Sequence, residues 1–212
     1  MKAIDPQLEL REELVNCITH ALGIIFGLVS IPILILNASS RADGNIIAGA
    51  GIYGLSFLMV FTFSTLFHSK KQGRLRTIFK KLDHISIYWL IAGTYTPFIL
   101  IFVNNRFGIS LLIILWGLTF LGTIFKTFFT GKFEMLSTLI YLIMGWMLLT
   151  GADEFFANMP AHVVNLIISG ACLYTVGVIF YIWRCFAYHH AIWHLFVLSA
   201  AICHYTAISM AI

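Results

Sequence analysis

Apolar residues run along this chain in long, nearly unbroken stretches separated by short polar breaks, not in the alternating or three-to-four spacing of a soluble core. Seven such stretches stand at about 17–37, 46–68, 83–103, 108–129, 135–152, 163–183 and 188–210. A helix needs about 20 apolar residues to cross roughly 30 Å of hydrocarbon, and each stretch is near that length. A helix also satisfies its own backbone polar groups, which lipid cannot do. The pattern therefore predicts an all-α membrane protein of seven transmembrane helices. The first stretch is longer than the core of a cleaved signal, and Glu9, Glu12 and Glu13 precede it where a signal would be basic, so it reads as a retained span. Between the stretches there is no soluble insertion, low-complexity tract, Gly-rich phosphate loop or repeat. Residues 1–212 read as a single domain.

The Lys and Arg pattern sets the orientation. With the N-terminus inside, Lys2, Arg11, Lys70, Lys71, Arg74, Arg76, Lys80, Lys81, Lys126, Lys132 and Arg184 are cytoplasmic, and only Arg41 and Arg106 are outside. The expected topology is N-terminus cytoplasmic and C-terminus outside, for a multi-pass protein of the cell (inner or plasma) membrane. In the 69–82 loop, Leu75, Ile78, Phe79 and Leu82 recur at helical spacing among basic residues. That pattern suits a helix resting on anionic headgroups, and it equally suits a plain basic loop that sets topology.

Composition sharpens the class. With 60% hydrophobic residues and only 10% charged, an ordinary soluble domain is excluded. The formal charge of +4 does not point to nucleic acid, because the basic residues sit between apolar runs and form no aromatic-interleaved patch. Lipids are the expected partners. Cys17, Cys172, Cys185 and Cys203 are scattered without a C-x-x-C pair and read as small buried hydrophobes.

Ionisable residues inside such spans are costly and point to function. His190 and His194 are four residues apart, so on a helix both rings project from one face about 6 Å apart. His68 ends the second span and Asp83 opens the third, so both flank the 69–82 loop on the cytoplasmic side. The chain re-enters from that side before His190. Ser64, one turn before His68, lies about 6 Å deeper on the same face. Three imidazoles are the ligand set of a catalytic zinc site, which keeps one position for water. A Zn2+ ion held by His68, His190 and His194 would polarise a carbonyl and acidify a water. Asp83 would then take or hold the water's proton, and Ser64 would orient it. Other readings stand beside this one. The histidines can be hydrogen-bonded across helices, Asp83 can cap its helix, and Asp83 as a direct ligand would close the site into a structural one.

Three ordered motifs carry a resemblance: Ser64-Thr65-Leu66-Phe67-His68; Asp83-His84, followed by Ala92-Gly93-Thr94-Tyr95-Thr96-Pro97-Phe98; and His190-Ala191-Ile192-Trp193-His194. They resemble the S-x3-H, D and H-x3-H motifs of the hemolysin III group. That group is the bacterial branch of the progestin and adipoQ receptor family, in a superfamily of membrane hydrolases that includes alkaline ceramidases. Glu13, Asn16, Thr19 and His20 match its N-terminal pattern. The resemblance implies seven helices and an inner-leaflet zinc site on His68, His190 and His194, with Asp83 and Ser64 holding water or supporting the ligands. The chain lacks the long N-terminal region of animal receptor members, so hormone signalling is not expected to carry over.

The expected function is zinc-dependent hydrolysis of a lipid amide or ester. A hemolysin III-type cytolysin or pore former is one alternative. A non-enzymatic membrane-homeostasis or sensor protein with a structural zinc site is the other. Smaller expectations follow. His84 makes an interfacial contact, and Glu13 and His20 either support the site or face headgroups. His204 is an interior histidine that with Tyr205 can line a lipid cavity. His162 and His189 face solvent. Tyr95, Thr96 and Pro97 form a kink, and Trp193, Gly117 and Gly122 pack helices.

Overall fold

The computed structural model describes residues 5–212, and Lys2 of the basic-side count lies outside the described residues. Among the described residues the regular structure is all helical, and seven helical segments are long and apolar enough to cross a membrane. Helices α1 (Pro6–Ser40), α2 (Gly44–Ser69), α3 (Arg74–Phe102) and α4 (Arg106–Phe129) give the first four spans. The fifth joins α5 (Glu134–Gly145), a tight 3-10 turn (Met147–Gly151) and α6 (Ala152–Phe156). Helices α7 (Ala161–Ile182) and α8 (His189–Ala211) complete the set.

Local chemistry explains the helix ends. Pro6 occupies the first turn of α1, and the Asp5 carboxylate accepts from the Gln7 amide at 2.9 Å. Asp43 caps α2 and Asn105 caps α4 in the same manner. Gly73, at φ +97°, turns the chain into α3. No glycine or proline separates Arg74 from Asp83, so the helix propagates without a stop. The amphipathic 69–82 stretch therefore supplies the first turns of α3, and no separate surface helix forms. For the same reason the acidic segment before the first apolar run joins α1.

Neighbouring spans pack α1 on α2, α2 on α3, α3 on α4, and α7 on α8, with α8 closing against α1. Helix α3 is the most enclosed and also touches α5 and α8. Tyr53, Phe57, Phe61, Tyr88 and Phe98 are fully buried between these helices. Leu28, Ile113, Phe128 and Ile179 stand exposed on the outer surface, where lipid covers apolar groups. Cys172, on α7, shares this exposed surface, and Cys185 is exposed in the loop between α7 and α8, both contrary to the expectation of burial. A lipid-facing position carries no penalty for a small apolar thiol. All four cysteines are free. Gly122 does pack closely, against the Tyr88 ring, whereas Gly117 faces outward with open space beside it.

Alternation of the spans brings Arg11, Lys70, Lys71, Arg74, Arg76, Lys80, Lys81, Lys126, Lys132 and Arg184 to one end and leaves Arg41 and Arg106 at the other. This asymmetry makes the first end cytoplasmic. Helix α3 runs on through Pro97, against which Gly49 of α2 packs. The helical ladder itself is interrupted in the fifth span. There the Tyr95 hydroxyl donates to the Gly145 carbonyl at 2.8 Å and accepts from the Leu148 amide at 3.0 Å. Backbone groups freed at membrane depth need such an internal partner.

Candidate functional site

At the basic end, the last turn of α2 and the first turns of α8 meet. Tyr188, in a left-handed conformation at φ 62°, starts α8, and its amide donates to Glu12 of α1 at 2.8 Å. That bond fixes where α8 begins, and hence where His190 and His194 stand. Ring centroids of His190 and His194 are 4.5 Å apart; His68 is 5.3 Å from the first and 5.0 Å from the second. One ligand nitrogen from each of the three lies within 4.8 Å of the others. Zinc–nitrogen bonds of about 2.0–2.1 Å place tetrahedral ligand atoms roughly 3.4 Å apart, so small side-chain rotations bring all three onto one ion.

Hydrogen bonds select the free nitrogen. His68 Nδ1 is 2.6 Å from Glu13 Oε2, and a carboxylate only accepts, so Nδ1 carries the proton. His68 Nε2 is buried with no hydrogen-bond partner. His194 Nδ1 lies 3.1 Å from the Asn16 carbonyl and 3.2 Å from the Thr19 hydroxyl, which again places the proton on Nδ1 and leaves Nε2 basic. An imidazole whose far nitrogen donates to a carboxylate or carbonyl is oriented as metal-bound histidines are. An orphaned, basic, buried Nε2 beside two further imidazoles fits a divalent ion. Imidazole nitrogens accept several divalent metals, so the donor set alone does not single out zinc.

The remaining expected residues surround this set. Ser64 is buried on the His68 face of α2 and lines the same cavity as Asp83. Asp83, with its side chain 18% exposed, is not among the atoms that come within 4.8 Å of one another. It stands next to the three-histidine set and outside it. Glu13 divides its oxygens between His68 and Arg76, whose Nη2 is 2.7 Å from Oε1. Glu13 is thus joined to the histidine set through His68.

Of the two readings of His20 the buried one beside the site holds, and three smaller expectations are corrected. His20 is 4% exposed, faces no headgroup, and packs its ring 3.7 Å from that of His194, centroid to centroid. His84 makes more than an interfacial contact. Its Nδ1 is 3.5 Å from Asp83 and its Nε2 3.4 Å from Glu134, which also pairs with the fully buried Lys126 at 3.1 Å. His189 is half-buried against the Phe180 carbonyl, because the left-handed turn at Tyr188 folds it inward. Tyr205 does not line the cavity described next; its hydroxyl is spent on the Ser30 carbonyl at 3.0 Å. His162 is exposed and Trp193 packs on Gly177, both as expected.

A cavity of about 520 Å³ opens from the histidine set and continues into the bundle, walled mainly by apolar side chains. Its lining includes Ser64, His68, Asp83, His190 and His194 at one end and Tyr174 and His204 further along. That volume lies in the range of small-molecule and lipid sites.

This arrangement can be set beside known proteins. The model of the family described as Haemolysin-III related matches residues 8–205. The chain belongs to that family. It is 42% identical to "Hemolysin-3" of Bacillus cereus over 192 residues, which cover 91% of this chain and 88% of that protein. The "Hemolysin-3 homolog" of Bacillus subtilis (strain 168) is 40% identical over 192 residues, covering 91% and 90%. "Monocyte to macrophage differentiation factor" of Homo sapiens is 30% identical over 203 residues, covering 93% and 83%. No solved structure matches. Membership in the haemolysin-III related family agrees with a multi-pass integral membrane protein.

Proposed function

We propose that this haemolysin-III related protein is a zinc-dependent hydrolase of the cell membrane that cleaves an amide or ester bond of a lipid in the inner leaflet. One observation carries the reading: three convergent imidazoles, a carboxylate and a hydroxyl share the wall of a large apolar cavity. His68, His190 and His194 would hold the ion, which when bound supplies polarisation of the lipid carbonyl and a lowered pKa for water. Protein groups do the rest. Asp83 takes a proton from the attacking water as its oxygen bonds to the carbonyl carbon. The C–N or C–O bond then breaks, and the proton passes from Asp83 to the departing amine or alcohol. Ser64, on the same cavity wall as Asp83, orients the water, Glu13 fixes the His68 ring, and the apolar wall receives the acyl chain.

The test is zinc content by elemental analysis of detergent-purified wild type and of the His190→Ala/His194→Ala double variant, followed by turnover of ceramide and other acyl lipids. About one zinc per chain, lost in the double variant, together with release of fatty acid, is the expected result. A folded, chelator-free preparation without metal would overturn it. Full zinc occupancy without turnover of any acyl lipid would leave a sensor or membrane-homeostasis protein with a structural site.

A cytolysin reading draws on the names of the family and of its Bacillus members. Liposome leakage decides it, and histidine variants that leak as much as wild type would separate a pore from the metal site.

A further inference from the structure

At the inner end of the cavity two polar atoms are left over. His204 Nε2 is 3.1 Å from the Ile167 carbonyl, so Nε2 carries the proton and Nδ1 is an acceptor. That Nδ1 is buried and has no partner. The Tyr174 hydroxyl is likewise buried without a partner, and its ring centroid is 5.7 Å from that of His204. Both residues line the cavity. Burying two polar groups unmatched costs free energy that a ligand can recover. The nearby Tyr53 and Tyr95 show the usual arrangement, with hydroxyls bonded to Ala201 and Gly145 carbonyls.

We propose that Tyr174 and His204 form a polar subsite for a hydroxyl group carried partway along the acyl chain of the bound lipid. A hydroxyl is the group that answers both atoms, donating to His204 Nδ1 while accepting from Tyr174. The reach is fixed by α8, since His204 lies ten residues beyond His194, or about 15 Å along the axis. An extended hydrocarbon advances roughly 1.25 Å per carbon, which sets the hydroxyl about a dozen carbons from the carbonyl held at the histidines. This deepens the proposed function by naming its substrate class as mid-chain hydroxylated acyl lipids. It depends on the cavity taking an acyl chain and does not depend on hydrolysis.

The test measures equilibrium binding of octadecanoic acid and its 12-hydroxy and 6-hydroxy derivatives to the purified full-length protein. The two isomers differ only in hydroxyl position, so general polarity cancels. Wild type should bind the 12-hydroxy acid about tenfold more tightly than the 6-hydroxy acid. Tyr174→Phe, which removes one oxygen and no packing volume, should abolish that preference while keeping affinity for octadecanoic acid. Equal binding of the isomers by wild type, as when a water bridges the pair, would overturn the subsite. So would a preference that survives in Tyr174→Phe. If none of the acids binds, the subsite and the acyl-lipid reading of the cavity fall together. A 12-hydroxy preference without any lipid turnover would retain the subsite and remove the hydrolase.

Discussion

Glu13 Oε2 lies 2.6 Å from His68 Nδ1, and that contact joins the start of α1 to the end of α2. The other Glu13 oxygen reaches Arg76 at 2.7 Å, so one carboxylate links three helices where the histidines converge. Its charge favours the proton on His68 Nδ1 and makes Nε2 the stronger ligand. Glu13→Gln keeps the volume and loses the charge. Zinc affinity of this variant should fall by about 10–100-fold, the usual cost of losing such a support. Competition with a chromogenic chelator measures it, and an affinity equal to wild type would mean that the Glu13 charge does not strengthen His68 as a ligand.

Asp83 stands beside the three-histidine set, so acid–base chemistry and metal binding should separate in Asp83→Asn. The variant should retain its zinc and lose turnover by about 10²–10⁴-fold, the typical contribution of a positioned acid–base group. Elemental analysis and an acyl-lipid assay on one preparation give both numbers. Loss of the metal would instead make Asp83 a ligand and the site a closed one.

Removing the ion should cost stability in proportion to its binding and no more. At a hundredfold excess over its dissociation constant, a bound ion contributes about 2.7 kcal/mol, which is roughly 5–10 °C in melting temperature for a chain of this length. Chelation should lower the melting point by that much and stoichiometric zinc should restore it. Collapse of the fold on chelation, with no substrate found, would favour a structural centre.

Most of the architecture was legible because membrane helices announce themselves by length and hydropathy. Seven spans, their alternation and the shared depth of His68, Asp83 and His190 all follow from counting residues. What failed depended on partners outside the local window. Nothing in the sequence around His84 shows that Glu134, fifty residues away, will sit against it. The polar stripe Glu13-Asn16-Thr19-His20 was visible on α1, but not that it faces His68 and His194 instead of headgroups. Gly117 and Gly122 look alike in the sequence, and only the presence of Tyr88 beside one distinguishes them. The amphipathic 69–82 stretch shows a further limit, since periodicity identifies a helical face without showing where the helix continues.

Tyr95 supplies the prediction that reaches beyond the candidate centre. The fifth span changes from α-helix to 3-10 turn at Trp146, which frees the Gly145 carbonyl and the Leu148 amide from the regular ladder. One hydroxyl from α3 serves both, and Tyr95 is 6% exposed, so water does not readily replace it. Tyr95→Phe keeps the ring against Phe155 and removes only that oxygen. Each abandoned buried group costs about 1–3 kcal/mol, so the variant should melt at least roughly 4–8 °C lower. Tyr205→Phe is the control, because its hydroxyl serves one acceptor, the Ser30 carbonyl, and should cost about half as much. Zinc stoichiometry should be the same in both variants, since neither hydroxyl touches the histidine set. A Tyr95→Phe melting point no lower than that of Tyr205→Phe would show that the break in the fifth span is held by packing and not by this paired hydrogen bond.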